Sequence, residues 1–292
     1  MEPRSGLPYK AKRRIRLLNK HNMKTRHGHG KGVRKMHESP IIKVAGLNID
    51  LSIVIMLLVT CVIVFLLAKL ATRNLSVDKP SKLQNFLEWV VEFVQGIIAS
   101  AMPLKKGKPY IALGMTLIMF IFVANLLGLP FAIITEHHEE FSLFGQTILS
   151  EDEIREMEAE GRHAALLWWK SPTADLSVTF GLAFIVFVLV HYLGLTKNTR
   201  HYLKHYVEPY WFFIPLNLMK EIFKPITLGL RLYANIFAGE ILIATIIMAG
   251  AFGIPILIAW QGFSIFVGAI QAFLFTILTM VYIAQASVHE EH

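Results

Sequence analysis

The sequence holds a single cysteine, Cys61, among 292 residues. An intrachain disulfide is therefore excluded, and we expect Cys61, which lies in an apolar run, to be a small buried hydrophobe. The sequence has no Gly-x-x-x-x-Gly-Lys loop, so we expect no nucleotide and no cofactor on this chain. It also has no His-Glu-x-x-His motif: the His/Glu clusters at 137–140 and 289–292 have the wrong spacing for an intramembrane metalloprotease.

Charge is scarce as well. Only 17% of the residues are charged, against about 25% in an average soluble domain. Since 54% are hydrophobic and the mean hydropathy is +0.50, the bilayer must be the solvent. Much of the net charge of +8 comes from residues 1–35, which are rich in Lys and Arg and hold one acid, Glu2. We interpret this stretch as a disordered N-terminal extension ahead of a single membrane domain, 36–292, and expect no nucleic-acid partner.

Long apolar runs predict an all-α polytopic membrane protein, since a spanning helix needs roughly 20 mostly apolar residues. The last two of five predicted segments are too long for a core of about 30 Å unless they tilt strongly, and the turn at 250–255 makes them a long hairpin. Apolar residues at helical spacing between the first two segments predict an interfacial amphipathic helix over about 81–102. The five segments are 47–71, 110–135, 175–195, 210–249 and 253–286.

Loop charge predicts the orientation. Residues 72–108 hold six Lys and Arg and 196–208 hold three, whereas 136–171 hold three against nine acids. We expect the two basic loops in the cytoplasm, which puts the N-terminus outside and the C-terminus inside. The basic stretch 1–35 conflicts with that orientation, and the conflict eases if translation begins at Met36.

Arg231 lies deep in the fourth segment. A charge at mid-bilayer costs about 2.5 kcal/mol or more, and Arg keeps its proton, so Arg231 is a fixed charge and not a relay. Nine residues at about 100° each put Glu240 on the opposite side of the helix, which disfavours a local ion pair. We therefore expect the partner of Arg231 on another polypeptide. The alternative is an Arg that snorkels or pairs with Glu240 for stability alone.

Other polar residues are candidates for an ion path. Glu240 is a second titratable group in the membrane, either a proton carrier or a structural carboxylate. Asn235 and Thr227 lie four residues either side of Arg231 and share its face. Gln271, midway along the fifth segment, is a candidate hydrogen-bond partner of Arg231 across the hairpin.

Four more polar residues are open to two interpretations. Glu221 lies about 15 Å before Arg231, at a candidate water-accessible mouth or as an ordinary interfacial charge. Asp175, at the start of the third segment, is either a helix N-cap or part of an outer aqueous pocket. Asn125 and His191 are path residues or packing residues.

Two sequence motifs resemble one family closely. They are Thr-Leu-Gly-Leu-Arg-Leu-Tyr-Ala-Asn-Ile-Phe-Ala-Gly-Glu at 227–240 and Gln-Ala-Phe-Leu-Phe-Thr-Ile-Leu-Thr-Met-Val-Tyr at 271–282, with further agreement at 127–130 and 172–175. The chain resembles subunit a of bacterial, Bacillus-type F-type ATP synthases, the stator part of their membrane sector. The likeness covers roughly 36–292, which supports a misassigned start for the residues upstream of Met36.

The resemblance implies a proton-conducting stator subunit with two offset half-channels. Arg231 resembles the essential arginine that faces the carboxylates of a rotating ring of c subunits, with Gln271 as its partner. Glu240 and Asn235 resemble residues of the outer path. The implied partners are the c-ring, the b subunits of the peripheral stalk and the lipid bilayer of the bacterial plasma membrane. ATP chemistry would then lie on other subunits, so the chain is not catalytic alone.

On the inner side the resemblance implies path roles for Glu221 and Thr227. Lys220 departs from the residue usual in Bacillus relatives, an acid or a neutral side chain. We hypothesise that it tunes proton release at Glu221, and the alternative is a snorkelling lysine. A stand-alone transporter or channel is the competing function for the whole chain. That function predicts internal repeats or paired intramembrane charges, and we find no repeat.

Overall fold

Helices make up most of the chain in the computed structural model, which describes residues 39–44, 46–129, 134–137, 139–143, 145–159, 165–197, 199, 202, 207 and 210–287. The predicted extension 1–35, the proposed start at Met36 and the cluster at 289–292 lie outside the described residues. The described helices of more than four residues are α1 (Leu51–Thr72), α2 (Lys82–Ala101), α3 (Ile111–Leu127), α4 (Glu151–Ala159), α5 (Leu176–Lys197), α6 (Ile214–Ile247) and α7 (Ile254–Ser287).

Five helical segments, which contain α1, α3, α5, α6 and α7, are long and apolar enough to cross a membrane, and the second of them begins at Leu104, before α3. The prediction of a polytopic membrane protein with five embedded helices is confirmed. Short strands accompany the helices: β1 (Ile41–Val44), β2 (Leu47–Asp50), β3 (Ile134–Glu136), β4 (Phe141–Leu143), β5 (Gln146–Leu149) and β6 (Ala165–Leu167). They form three antiparallel pairs, β1 with β2, β3 with β6 and β4 with β5.

Two predicted segment boundaries are wrong. The first segment was expected over 47–71, but Leu47–Asp50 is the second strand of a hairpin, with Ile41 opposite Asp50, and α1 begins at Leu51. The second was expected over 110–135, but α3 ends at Leu127 and Ile134–Glu136 pairs with Ala165–Leu167. In both cases hydrophobicity continues past the helix end into a strand, so hydropathy alone misplaced the boundary.

The amphipathic helix over 81–102 is confirmed as α2. Ser81 caps its N-terminus, accepting from the Gln84 N–H at 3.1 Å. Its buried face packs against α1, α3 and α7 through Val90, Val94, Ile97 and Ile98. Helix α2 therefore packs along the bundle, and Gly114 of α3 makes room for it, since a Cβ there would lie 2.7 Å from Val94 Cγ1.

The long hairpin consists of α6 and α7, of 34 residues each. At 1.5 Å per residue each helix is about 51 Å long, well beyond a hydrocarbon core of about 30 Å. The turn Gly250–Gly253 joins them, and Gly250 has a φ of +61° that favours glycine. The predicted hairpin is confirmed, and its tilt in a bilayer stays a prediction.

The packed core lies where α2, α3, α5, α6 and α7 meet, around Ile98, Ile121, Leu232, Phe275 and Met280. Outside it, large apolar side chains are exposed on α1, α5, α6 and α7, as expected for a surface in lipid or against a partner helix. Cys61 is among the exposed residues of α1. The expectation that it is buried was wrong, because an apolar run in a bilayer need not face protein.

Candidate functional site

Arg231 lies on an exposed face of α6. Its neighbours Leu228 and Leu232 are buried in the bundle, at 1% and 0% exposure, whereas Leu230 is 43% exposed. Arg231 makes no hydrogen bond or ion pair with any residue that the structure describes. An apolar helix thus carries a cation that its own described chain does not neutralise.

Gln271 bonds to Asn235 instead of Arg231. Asn235 Nδ2 donates to Gln271 Oε1 at 2.9 Å across the hairpin, and Gln271 is 1% exposed. The predicted bond between Gln271 and Arg231 is therefore wrong for this structure, in which Gln271 Oε1 accepts from Asn235, one turn further along the same face of α6. Gln271 Nε2 is buried and has no hydrogen-bond partner among the described residues.

A cavity of about 590 Å³ opens beside Glu240. Ser171 N–H donates to Glu240 Oε1 at 3.4 Å. Two further polar atoms on the lining, Trp260 Nε1 and Ser264 Oγ, are buried without a hydrogen-bond partner in the described part of the chain. A roomy cavity with unpaired polar groups is one that water can occupy. Its lining includes Asn125, Gly128, Ser171, Asn235, Glu240, Thr245, Trp260 and Ser264.

A series of hydrogen bonds between buried side chains lies next to this cavity. Ser171 Oγ and Thr173 Oγ1 are 2.7 Å apart, Thr173 Oγ1 donates to Asn125 Oδ1 at 2.6 Å, and Asn125 Nδ2 donates to Gly268 O at 3.0 Å. All three side chains are buried. Asn125, which the sequence left open between path and packing, joins α3 to α7 and also lines the cavity, and its path role stays a prediction.

Sequence reasoning assigned no path role to Ser171, Trp260 or Ser264. Only Ser264 carried a usable signal, because it lies seven residues before Gln271 and so shares its helix face. Ser171 and Trp260 come from distant segments, and only the fold brings them to Glu240.

Glu221 lies beside a second, much smaller cavity. It is 7% exposed, and Lys224 Nζ lies 2.5 Å from its Oε1. Lys224 also donates to Gln285 Oε1 of α7 at 3.3 Å. The cavity measures about 10 Å³, with His191 and Tyr282 in its lining, which is close to the space one water needs.

Three predicted residues lie away from both cavities. Asp175 Oδ1 accepts from Ser177 N–H at 2.8 Å at the start of α5, so its helix-capping interpretation is the one the structure supports. Thr227 Oγ1 donates to Phe223 O of its own helix at 2.9 Å. Lys220 is exposed, and the cation that contacts Glu221 is Lys224.

The two carboxylates stand at opposite ends of one helix. Glu221 and Glu240 are nineteen residues apart, about 28 Å along the axis of α6, and Arg231 lies between them. The two cavities share no lining residue. The arrangement places one carboxylate on either side of Arg231 along α6, each beside its own cavity.

These features define a polytopic membrane protein with two separate titratable sites inside one bundle. The family described as ATP synthase A chain matches residues 53–284. The chain is 48% identical over 263 residues to ATP synthase subunit a of Anoxybacillus flavithermus, covering 87% of this chain and 99% of that one. The corresponding proteins of Priestia megaterium and Staphylococcus aureus are 47% and 43% identical, over 85% and 88% of this chain and 96% and 99% of theirs.

The chain belongs to the ATP synthase A chain family. The family resemblance predicted from the 227–240 and 271–282 motifs is confirmed.

Proposed function

We propose that this chain is the proton-translocating stator subunit of a rotary F-type ATP synthase. Protons enter through the cavity beside Glu240, called the outer cavity below, and reach Glu240 and Asn235. From there they pass to a carboxylate on a rotating ring of c subunits. After nearly a full turn of the ring they leave on the inner side, past Glu221 and Thr227. Asp175 contributes on the outer side by capping the N-terminus of α5.

The observation that carries the proposal is the exposed guanidinium of Arg231, which has no hydrogen-bond or ion-pair partner among the described residues and lies along α6 between the two cavities. A cation in this position is stable in a membrane when a carboxylate of a neighbouring subunit faces it. Only 11% of the most apolar stretch of α6 is buried, the smallest share among the five spanning helices. That leaves most of α6 available for a partner, and the ring of c subunits fits it.

Arg231 then has two tasks. It attracts each ring carboxylate as that group loses its proton, and it blocks direct leakage between the two half-channels. Gln271, fixed by Asn235, supports the region next to the arginine. Lys220, exposed near the inner carboxylate, tunes proton release.

The orientation follows from the loop charges. The basic loops face the cytoplasm, the acidic segment that contains α4 faces outward, the N-terminus is outside and the C-terminus is inside. The membrane is the plasma membrane of a bacterium, and the b subunits of the peripheral stalk are further partners.

The test is Arg231→Ala in the assembled complex, in inverted membrane vesicles. ATP-driven proton pumping is expected to fall at least about tenfold while the complex still assembles. Leu230→Ala, an exposed neighbour on the same helix, is the matched control and should pump at the normal rate. Normal pumping by assembled Arg231→Ala complexes would overturn the proposal. A purified chain without its ring should conduct no protons, which separates this function from a stand-alone channel.

A further inference from the structure

The segment 168–173, called the outer strap below, is tied to α3 and β3 beside the outer cavity. Trp168 Nε1 donates to Thr135 Oγ1 at 2.8 Å, and Trp169 Nε1 donates to Leu127 O at 2.6 Å. Ser171 Oγ donates to Ala124 O at 2.9 Å. These three side-chain hydrogen bonds hold the strap against α3 and β3.

The strap supplies the hydrogen-bond donor that faces Glu240. Ser171 N–H lies 3.4 Å from Glu240 Oε1, and the Ser171 side chain is fully buried. Gly128 makes this approach possible, since a Cβ on Gly128 would lie 2.5 Å from Ser171 Cβ. The position of the strap therefore decides whether Ser171 N–H can donate to the Glu240 carboxylate.

Lys170, next to Ser171, ties the strap to the start of α1. Its Nζ donates to Asp50 Oδ2 at 2.5 Å and to Ser39 Oγ at 3.0 Å. Asp50 also accepts from Ser52 N–H at 3.0 Å and from Ser52 Oγ at 2.6 Å, so the same carboxylate caps α1. The Lys170 side chain thus links the N-terminus of α1 to the outer strap, directly next to Ser171, which donates to Glu240.

This ion pair is more than a surface contact. The Lys170 and Asp50 side chains are each only 16% exposed. Exposed pairs contribute little, whereas removing one partner of a buried pair leaves an uncompensated charge. Burial raises the pKa of the Asp50 carboxyl, but hydrogen bonds from Lys170 and Ser52 and the charge of Lys170 outweigh burial and hold it below its usual value.

We infer that Lys170, through its ion pair with Asp50, is a positioning residue for the outer proton path: it holds the outer strap where Ser171 N–H faces Glu240. The inference rests on the proposed function, because it assigns Lys170 to proton uptake at Glu240. Lys170 does not carry the proton. It acts through the strap.

The experiment uses the assembled complex in membrane vesicles. Lys170→Met and Asp50→Asn should each lower ATP-driven pumping about fivefold at unchanged complex content. The double variant should be no worse than the poorer single one, because both changes break the same link. Lys170→Arg keeps the pair and should stay within about twofold of the original rate. Lys43→Met, which removes an exposed cation from β1, is the matched control and should pump normally.

A second readout separates positioning from general stability. During ATP synthesis, the outer proton concentration that gives half the maximal rate should change at least about threefold in Lys170→Met, with the maximal rate retained. If Lys170→Met fails to assemble, Gly128→Ala decides the question. It pushes Ser171 away without changing charge, and must then reproduce the fivefold loss of pumping.

Arg231→Ala, measured in parallel, keeps the two proposals distinguishable. Loss of pumping in Arg231→Ala, together with a normal rate and normal proton dependence in Lys170→Met, overturns this inference alone. Normal pumping in Arg231→Ala overturns the proposed function. Normal pumping by assembled Gly128→Ala complexes, or full additivity in the double variant, also contradicts the role of Lys170.

Discussion

Asn235 of α6 donates a hydrogen bond to Gln271 of α7 at 2.9 Å, one helical turn beyond Arg231. This bond joins the two helices of the long hairpin and leaves the guanidinium one turn away on the exposed side. Arg231 and Asn235 share one face of α6, and of the two only Asn235 is hydrogen-bonded to α7 among the described residues.

The bond between Asn235 and Gln271 should contribute measurably to hairpin stability. Asn235→Ala leaves both polar atoms of the buried Gln271 amide unpaired among the described residues, so we expect a loss of about 1 kcal/mol. Denaturant unfolding of the purified chain in detergent measures it. Adding Gln271→Leu removes the unpaired groups and should recover most of the loss. An effect of similar size from Thr227→Ala, whose hydroxyl bonds only its own helix, would count against this account.

We expect proton pumping to require that the outer cavity stays open to water. Ser264→Leu extends an apolar side chain into the lining beside Glu240 and displaces water, so ATP-driven pumping should fall about tenfold. Ile265→Leu, at the exposed next position, is the control and should be neutral. Fluorescence quenching in inverted vesicles measures both. Equal pumping by the two variants would mean that protons take another route.

On the inner side, Lys224 should matter more than Lys220. Lys224→Met leaves the carboxylate of Glu221 buried without its cation, which is expected to destabilise the chain by about 3 kcal/mol. Lys220→Met removes an exposed cation and should cost less than about 0.5 kcal/mol. Unfolding in detergent compares them. A larger loss from Lys220→Met would show that Lys220 is the true partner of Glu221.

The tuning role proposed for Lys220 has its own test. Lys220→Gly should change the pH dependence of ATP synthesis if this cation acts on proton release at Glu221. Synthesis rates in vesicles over a range of inner pH values provide the measurement. A profile identical to that of the unchanged chain would refute the tuning role.

The tie between Lys170 and Asp50 should fail only in acid. The pKa of Asp50 is lowered in the folded chain, so its stabilisation is fully present above the unfolded value of about 3.9 and is lost as the pH falls through the lower folded value. Amide exchange of Ser171 in the complex should therefore be slower than in Asp50→Asn at pH 5 to 8. The two should converge only when the pH falls below the lowered pKa of Asp50 in the folded chain. A difference that disappears near neutral pH would contradict the assignment to Asp50.

Hydropathy predicted the membrane helices well because the bilayer imposes a length and a composition on any helix that crosses it. It failed where apolar residues leave the helix, at 47–50 and 134–136, which form strands. It also could not predict the pairing of Ile134–Glu136 with Ala165–Leu167, because that contact depends on the course of the chain between them.

Within the site, helix geometry predicted Arg231 and Glu240 on different faces of α6; in the structure Arg231 is exposed, whereas Glu240 is half-buried and lines the outer cavity. It could not place Gln271, since the rotation of one helix against another is set by packing and not by spacing along one chain. The contact between Lys170 and Asp50 joins residues 120 positions apart. No periodicity in the sequence signals such a contact, so the outer strap could be found only from the fold.

The central claim concerns the partner of Arg231, and a structure of the assembled complex at side-chain resolution tests it most directly. The quantity to measure is the distance from the Arg231 guanidinium to the nearest carboxylate of a neighbouring subunit. The account predicts a ring carboxylate within about 4 Å, or one water further, in at least one rotational state. A guanidinium bonded wholly within its own chain and turned away from every neighbouring subunit would contradict it.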